Sequence, residues 1–161
     1  MIRKNLETTL MLALMFLFAG AFSHQGSLFA QDTGLVTVQS SSSFDETVQQ
    51  LRELVSKNGM MVLSELNQGK VLSMTGLQLN AVSLFVGNPT IGNKLFSADR
   101  GVGVAVPIRV AIYENTDGKT YVSYVKPSVQ LAPFKNAEIQ KIAHMLDEKL
   151  AMLTSMISKK S

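Results

Sequence analysis

The sequence predicts one small α+β domain. Its sheet is antiparallel or mixed, has about five strands and carries two long helices on one face, in the order β-α-β-β-β-β-α. Three observations lead there. Two stretches, 44–58 and 136–158, repeat apolar residues at helical spacing. Between them lie short alternating or continuously apolar runs, bounded by Gly, Pro, Asn and Asp. The length of 161 residues fits one domain.

Residues 1–30 read as a secretory signal peptide. Arg3 and Lys4 supply its positive start, and Leu10 to Phe22 its apolar run, too short for a comfortable membrane span. Cleavage is expected after Ala30, with a second candidate at Ala21-Phe22-Ser23. An uncleaved membrane anchor is the alternative. The expected location is therefore exported, periplasmic or extracellular, with residues 31–161 as a single domain and no stable membrane insertion after the signal is removed. There is no Cys, which excludes thiolate metal sites and Cys nucleophiles. The core must then hold the fold without disulfides. Taking Arg3, Lys4 and Glu7 from 15 basic and 12 acidic residues leaves 13 and 11. A charge near +2 is too small for a nucleic-acid or anionic-membrane footprint.

Gly34 to Ser40 alternates Leu35, Thr37 and Gln39 with Val36 and Val38, the pattern of a first strand. Ser43 and Glu46 form a capping box for a helix whose apolar face is Phe44, Val48, Leu51 and Val55, and Gly59 stops it. Met60 to Leu66 is a second strand. Val71, Leu72 and Met74 line a short helix ending at Gly76. Asn80 to Val86 is a buried strand, Asn88-Pro89 a turn, and Thr90 to Ala98 a helical turn. Gly101 to Glu114 reads as one long β run in which Pro107 demands an edge or a bulge. Asn115 to Gly118 is a hairpin loop leading into Lys119 to Val125. Pro127 and Pro133 punctuate a loop. Asn136 caps the last helix, whose stripe is Ile139, Ile142, Leu146, Leu150, Leu153 and Ile157. Glu138 at its start and Lys159-Lys160 at its end suit the helix dipole.

Phe85-Val86-Gly87-Asn88-Pro89, then Val106-Pro107-Ile108-Arg109-Val110 leading to Tyr113-Glu114, Asp117-Gly118 and Val122-Ser123-Tyr124, carry a family resemblance. The chain resembles the family catalogued as domain of unknown function 302, over about residues 35–157. The resemblance implies a small α+β fold like half of the TATA-box-binding protein. It implies no DNA binding, because fold does not fix function, and the family has no assigned activity. Many members carry an Asp-His pair after the second strand, where Leu66-Asn67-Gln68 stands here. Any metal or haem role of that His would be missing from this chain.

Candidate chemistry is sparse. A four-residue loop at Asn115–Gly118 would set Glu114 against Lys119 and Arg109 beside Tyr124. With Asn88, that pair is the candidate ligand site, for a small anion or an aromatic ligand. Cross-strand packing of Arg109 on Tyr124 is the competing reading. Asn88 has one too, since its side chain can hold a turn before Pro89. His144, Asp147 and Glu148 share a helix face, read as solvated rather than metal-binding. Only His24 and His144 are present, so no Ser-His-Asp triad can be built on the mature chain. Gly101-Val102-Gly103 is no dinucleotide fingerprint. Met145, Met152 and Met156 run beside the Leu stripe as core filling or a partner-facing edge, with copper(I) binding as a lesser alternative. They lead to the expectation of a homodimer. No cofactor and no metal are expected. The leading function is an exported binding or interaction domain without a catalytic motif. An enzyme or anion-binding protein using Arg109, Tyr124 and Asn88, and a structural homodimer module, are the alternatives.

Overall fold

The computed structural model describes residues 33–158. The expected signal peptide and Lys159-Lys160 lie outside the described residues. Strands β1 (Leu35–Gln39), β2 (Met61–Asn67), β3 (Ala81–Gly87), β4 (Ile108–Glu114) and β5 (Thr120–Val125) form one sheet in the order β1-β5-β4-β3-β2. Every neighbouring pair is antiparallel. The helices are α1 (Phe44–Lys57), α2 (Gln68–Ser73), α3 (Pro89–Ala98), α4 (Pro127–Gln130) and α5 (Ala137–Ser158), with a 3-10 turn at Arg100–Val104. The α+β class, the five strands and the two long helices match the sequence expectation.

The pleat gives the sheet two faces. One presents Val82, Leu84 and Val86 from β3, Ile108, Val110 and Ile112 from β4, and Val122 and Tyr124 from β5, all buried. The stripes of α1 (Val48, Leu51, Val55) and α5 (Ile139, Ile142, Leu146, Leu150, Leu153, Ile157) cover that face and close one core. Caps set the helix ends. The Glu46 carboxylate accepts from the Ser43 amide at 3.0 Å and the Ser43 hydroxyl at 2.8 Å, which holds its pKa below the usual value. The Asn136 carboxamide oxygen accepts from Glu138 and Ile139 amides at the start of α5. Gly59 stands at φ +69, the left-handed stop after α1.

Two expectations need correction. The stretch 101–114 is not one strand. Asp99 caps the 3-10 turn by accepting from the Gly101 amide at 2.7 Å, and the Val106–Pro107 peptide is cis. Proline therefore stands just ahead of β4, not inside it, and β4 can run through the middle of the sheet without losing a ladder bond. The hairpin register is also shifted by one residue. The Asn115 amide donates to Lys119 O, the Gly118 amide donates to Asn115 O, and Gly118 sits at φ +72. That is a three-residue loop closed by a left-handed glycine. Glu114 consequently pairs with Thr120, and Val110 with Tyr124.

Candidate functional site

The register shift separates the residues proposed to act together. Tyr124 faces the core at 3% exposure, whereas Arg109 lies exposed on the opposite face, paired with Phe85 of β3. A one-residue slip exchanges the faces of a strand, so the expected Arg109–Tyr124 contact does not form. Burial raises the Tyr124 phenol above its ordinary value, only partly offset by a hydrogen bond with the Thr154 hydroxyl, and the Asp147 charge adds to the rise. Tyr124 borders a shallow cleft between β1 and α5, whose rim carries Lys126, Asp147 and Glu148. Asp147 also accepts from the Ser128 amide at 3.0 Å, fixing the start of α4. Among the described residues no cluster of three His, Asp or Glu could hold a metal.

Asn88 occupies a third place. Its backbone is extended, at φ −139 and ψ 126, as required before Pro89. Its carboxamide oxygen accepts from the Ile91 amide at 3.0 Å and caps α3, and its nitrogen donates to Gly59 O at 2.7 Å. One side chain thus ties the β3–α3 corner to the α1–β2 corner. Both polar ends of Asn88 are engaged by the protein itself.

Beside this corner lies an apolar cavity of about 180 Å³. Met60 and Leu63 form one wall, Val86 and Gly87 another. Ile91, Gly92, Leu95 and Phe96 of α3 line a third side, and Val106, cis-Pro107 and Ile108 close it against Leu146 of α5. Gly87 allows the close approach: a Cβ there would stand 2.8 Å from Leu63 Cδ1. Asn88 is the one polar side chain in the lining, and no titratable group reaches it. Such a cavity can hold an apolar group and offers no acid, base or nucleophile. Sequence reasoning reached Asn88 but missed the rest, because leucines and prolines carry no chemical signature. The available signal was positional: the Gly-Asn-Pro element and the Val-Pro-Ile segment, far apart in the chain, both line this space.

The outer face of the sheet is different in character. The Tyr113 and Tyr121 rings stack across β4 and β5 at 5.9 Å between centroids. Ser123 bridges the Thr37 hydroxyl at 2.8 Å and the Tyr113 hydroxyl at 3.2 Å. Leu66-Asn67-Gln68, where the resemblance implied a missing Asp-His pair, has local duties. Asn67 caps α2 through the Lys70 amide, and Gln68 accepts from the buried Ser83 hydroxyl at 2.9 Å. Among the described residues no helix is long and apolar enough to cross a membrane.

Comparison with known proteins agrees with this architecture. The crystal structure of the uncharacterized conserved protein DUF302 from Bacillus stearothermophilus superposes with a TM-score of 0.71 at 24% identity, covering 77% of this chain and 98% of that one. The protein named fluoride-specific ion channel FluC 1 in Brucella suis biovar 1 (strain 1330) is 33% identical over 98 residues, 60% of this chain and 39% of the relative. The one of the same name in Brucella abortus biovar 1 (strain 9-941) is 33% identical over 98 residues, 36% of its length. The chain thus spans less than two-fifths of the curated relatives it matches. The family described as domain of unknown function DUF302 matches residues 36–158. That match takes in all five strands and both long helices, and the chain belongs to the DUF302 family.

Proposed function

We propose that this chain is an exported binding module that receives a small, uncharged apolar group in the cavity beside Asn88. The observation that carries the reading is the meeting of the Gly87-Asn88-Pro89 corner and the Val106-Pro107-Ile108 segment around one apolar space. Fluoride, in the name of the Brucella relatives, is a poor match for this lining, which offers an anion no cation and no free donor. The segment shared with them is domain-sized, which fits a module joined to proteins of different activity. Export rests on Arg3, Lys4 and the Leu10 to Phe22 run. N-terminal sequencing of the envelope fraction should begin at Gln31 or close to His24, and an intact Met1 on a cytoplasmic protein would overturn it.

The cavity is tested by filling it. Gly92 lines the cavity and a Cβ there would meet nothing within 4 Å, so Gly92→Leu adds apolar bulk at its wall. Indole and benzene should stabilise the wild type and leave Gly92→Leu unmoved. A probe at 100 times its dissociation constant raises stability by about 2.7 kcal/mol, well within reach of a thermal-shift assay. Equal responses of the two proteins, or none in either, would sink the reading. Arg109 and Tyr124 lie on opposite faces and cannot share one small ligand. A separate anion contact at Arg109 would show as phosphate or carboxylate stabilisation that Arg109→Gln abolishes. Self-association is a second reading, carried by the apolar side chains left at the surface, which gather mostly in 61–79 and less at Met145, Met152 and Met156 of α5.

A further inference from the structure

Eight of the fifteen exposed large apolar side chains among the described residues come from a single stretch, 61–79. Met61, Leu63 and Leu66 belong to β2, an edge of the sheet whose outward backbone groups have no strand beside them among the described residues. Val71, Met74 and Leu77 follow in α2 and the loop after it, with Met74 at 85% exposure. The opposite edge, β1, is shorter and mixes Thr37 and Gln39 with its apolar residues. A long, apolar, unpartnered edge is a surface that proteins ordinarily blunt or pair.

We infer that the β2 edge, with α2 and the loop after it, is the interface through which two copies of this chain associate. Charge favours a second copy over a charged partner. Within 61–79 the charged residues are Glu65 and Lys70 alone, so the stretch has no net charge. Glu65 already pairs with Arg52 of its own chain at 2.6 Å. A two-fold contact sets the same patch against itself and needs a surface that does not repel its own image. Size agrees as well. The exposed fractions of the eight side chains amount to about four whole ones. With the polar groups between them, that approaches the ~800 Å² per partner that a stable dimer buries. The β-bulge between Val62 and Ser64 interrupts the ladder along β2. The contact is therefore made chiefly by side chains, not by extending the sheet across two molecules.

Sedimentation velocity of the protein purified from its own cells tests this, with Met74→Asp/Leu77→Asp and Met152→Asp as variants. Met74 and Leu77 are both more than half exposed, so their replacement should leave the circular dichroism and the melting temperature near wild type. Wild type and Met152→Asp should sediment as dimers at 10 µM, and the double variant as a monomer. Amide exchange across 61–79 should slow as wild-type concentration rises. A wild type monomeric at 100 µM, a double variant that stays dimeric, or a dimer broken by Met152→Asp would each overturn the inference. So would a monomer that protects 61–79 only against phosphatidylglycerol vesicles, which would assign the patch to a lipid surface.

Discussion

The two faces of β4 present one strand to two media. Ile108, Val110 and Ile112 point into the core at no more than 2% exposure, while Arg109, Ala111 and Tyr113 alternate with them on the outer face, exposed or half-buried. On the inner face the positions under the stripes of α1 and α5 are constrained by volume, because these side chains pack into one core. On the outer face the contacts are hydroxyl bridges and stacked rings, which tolerate change. The difference teaches where this fold leaves room for function. Space opens at the end of the sheet, where α3 departs from the inner face and Gly87 and cis-Pro107 leave the cavity.

Mutations should reproduce that division. Leu84→Ala empties a fully buried inner position and should cost about 2–5 kcal/mol in urea denaturation. Ser123→Ala, on the outer face of β5, should cost less than about 1 kcal/mol, since it removes hydroxyl bridges near solvent. An equal loss at both sites would erase the contrast. Asn88→Ala falls between them at about 1–2 kcal/mol, because it strips the α3 cap and frees Gly59 O at once. Gly118→Ala should cost about 1 kcal/mol by forcing a Cβ into the left-handed region.

The smallest effect is a slope with pH. Tyr124 is an acid whose folded pKa is raised, so the folded state keeps its proton longer than the unfolded chain does. Its contribution is fully present below the unfolded value near 10 and is lost as pH rises through the folded one. Thermal melts between pH 9 and 11 should show the decline in wild type and a shallower one in Tyr124→Phe. Identical slopes would place the burial of that phenol in doubt.

Much of the fold was legible in the sequence, for reasons that also mark the failures. Both long helices announce themselves through stripes, caps and the Gly59 stop, all local signals. The strands followed from alternation and turn residues. What failed was parity. Asn115-Thr116-Asp117-Gly118 fits a four-residue loop as well as a three-residue one, and only the φ of Gly118 decides between them. That one choice moved Tyr124 from the Arg109 side of the sheet to the other. Gly101 to Val104 read as strand because valines alternate with glycines, but Asp99 offers a cap that the alternation conceals. Of the cavity only Asn88 was reached from the sequence, since the space exists only where four distant segments meet.

The scattered methionines give the chain an uneven chemistry toward oxidants. Without cysteine, thioethers are its softest groups, and hypochlorite or peroxide converts them to sulfoxides. Met74 stands almost entirely in solvent and Met61 is half exposed, whereas Met60, one residue away along the chain, is sealed at 2%. Mild oxidation followed by peptide mapping should modify Met74 first and Met60 last. A sulfoxide at Met74 would wet the patch proposed to join two copies, so on that proposal oxidant stress would loosen the pairing before it reached the fold.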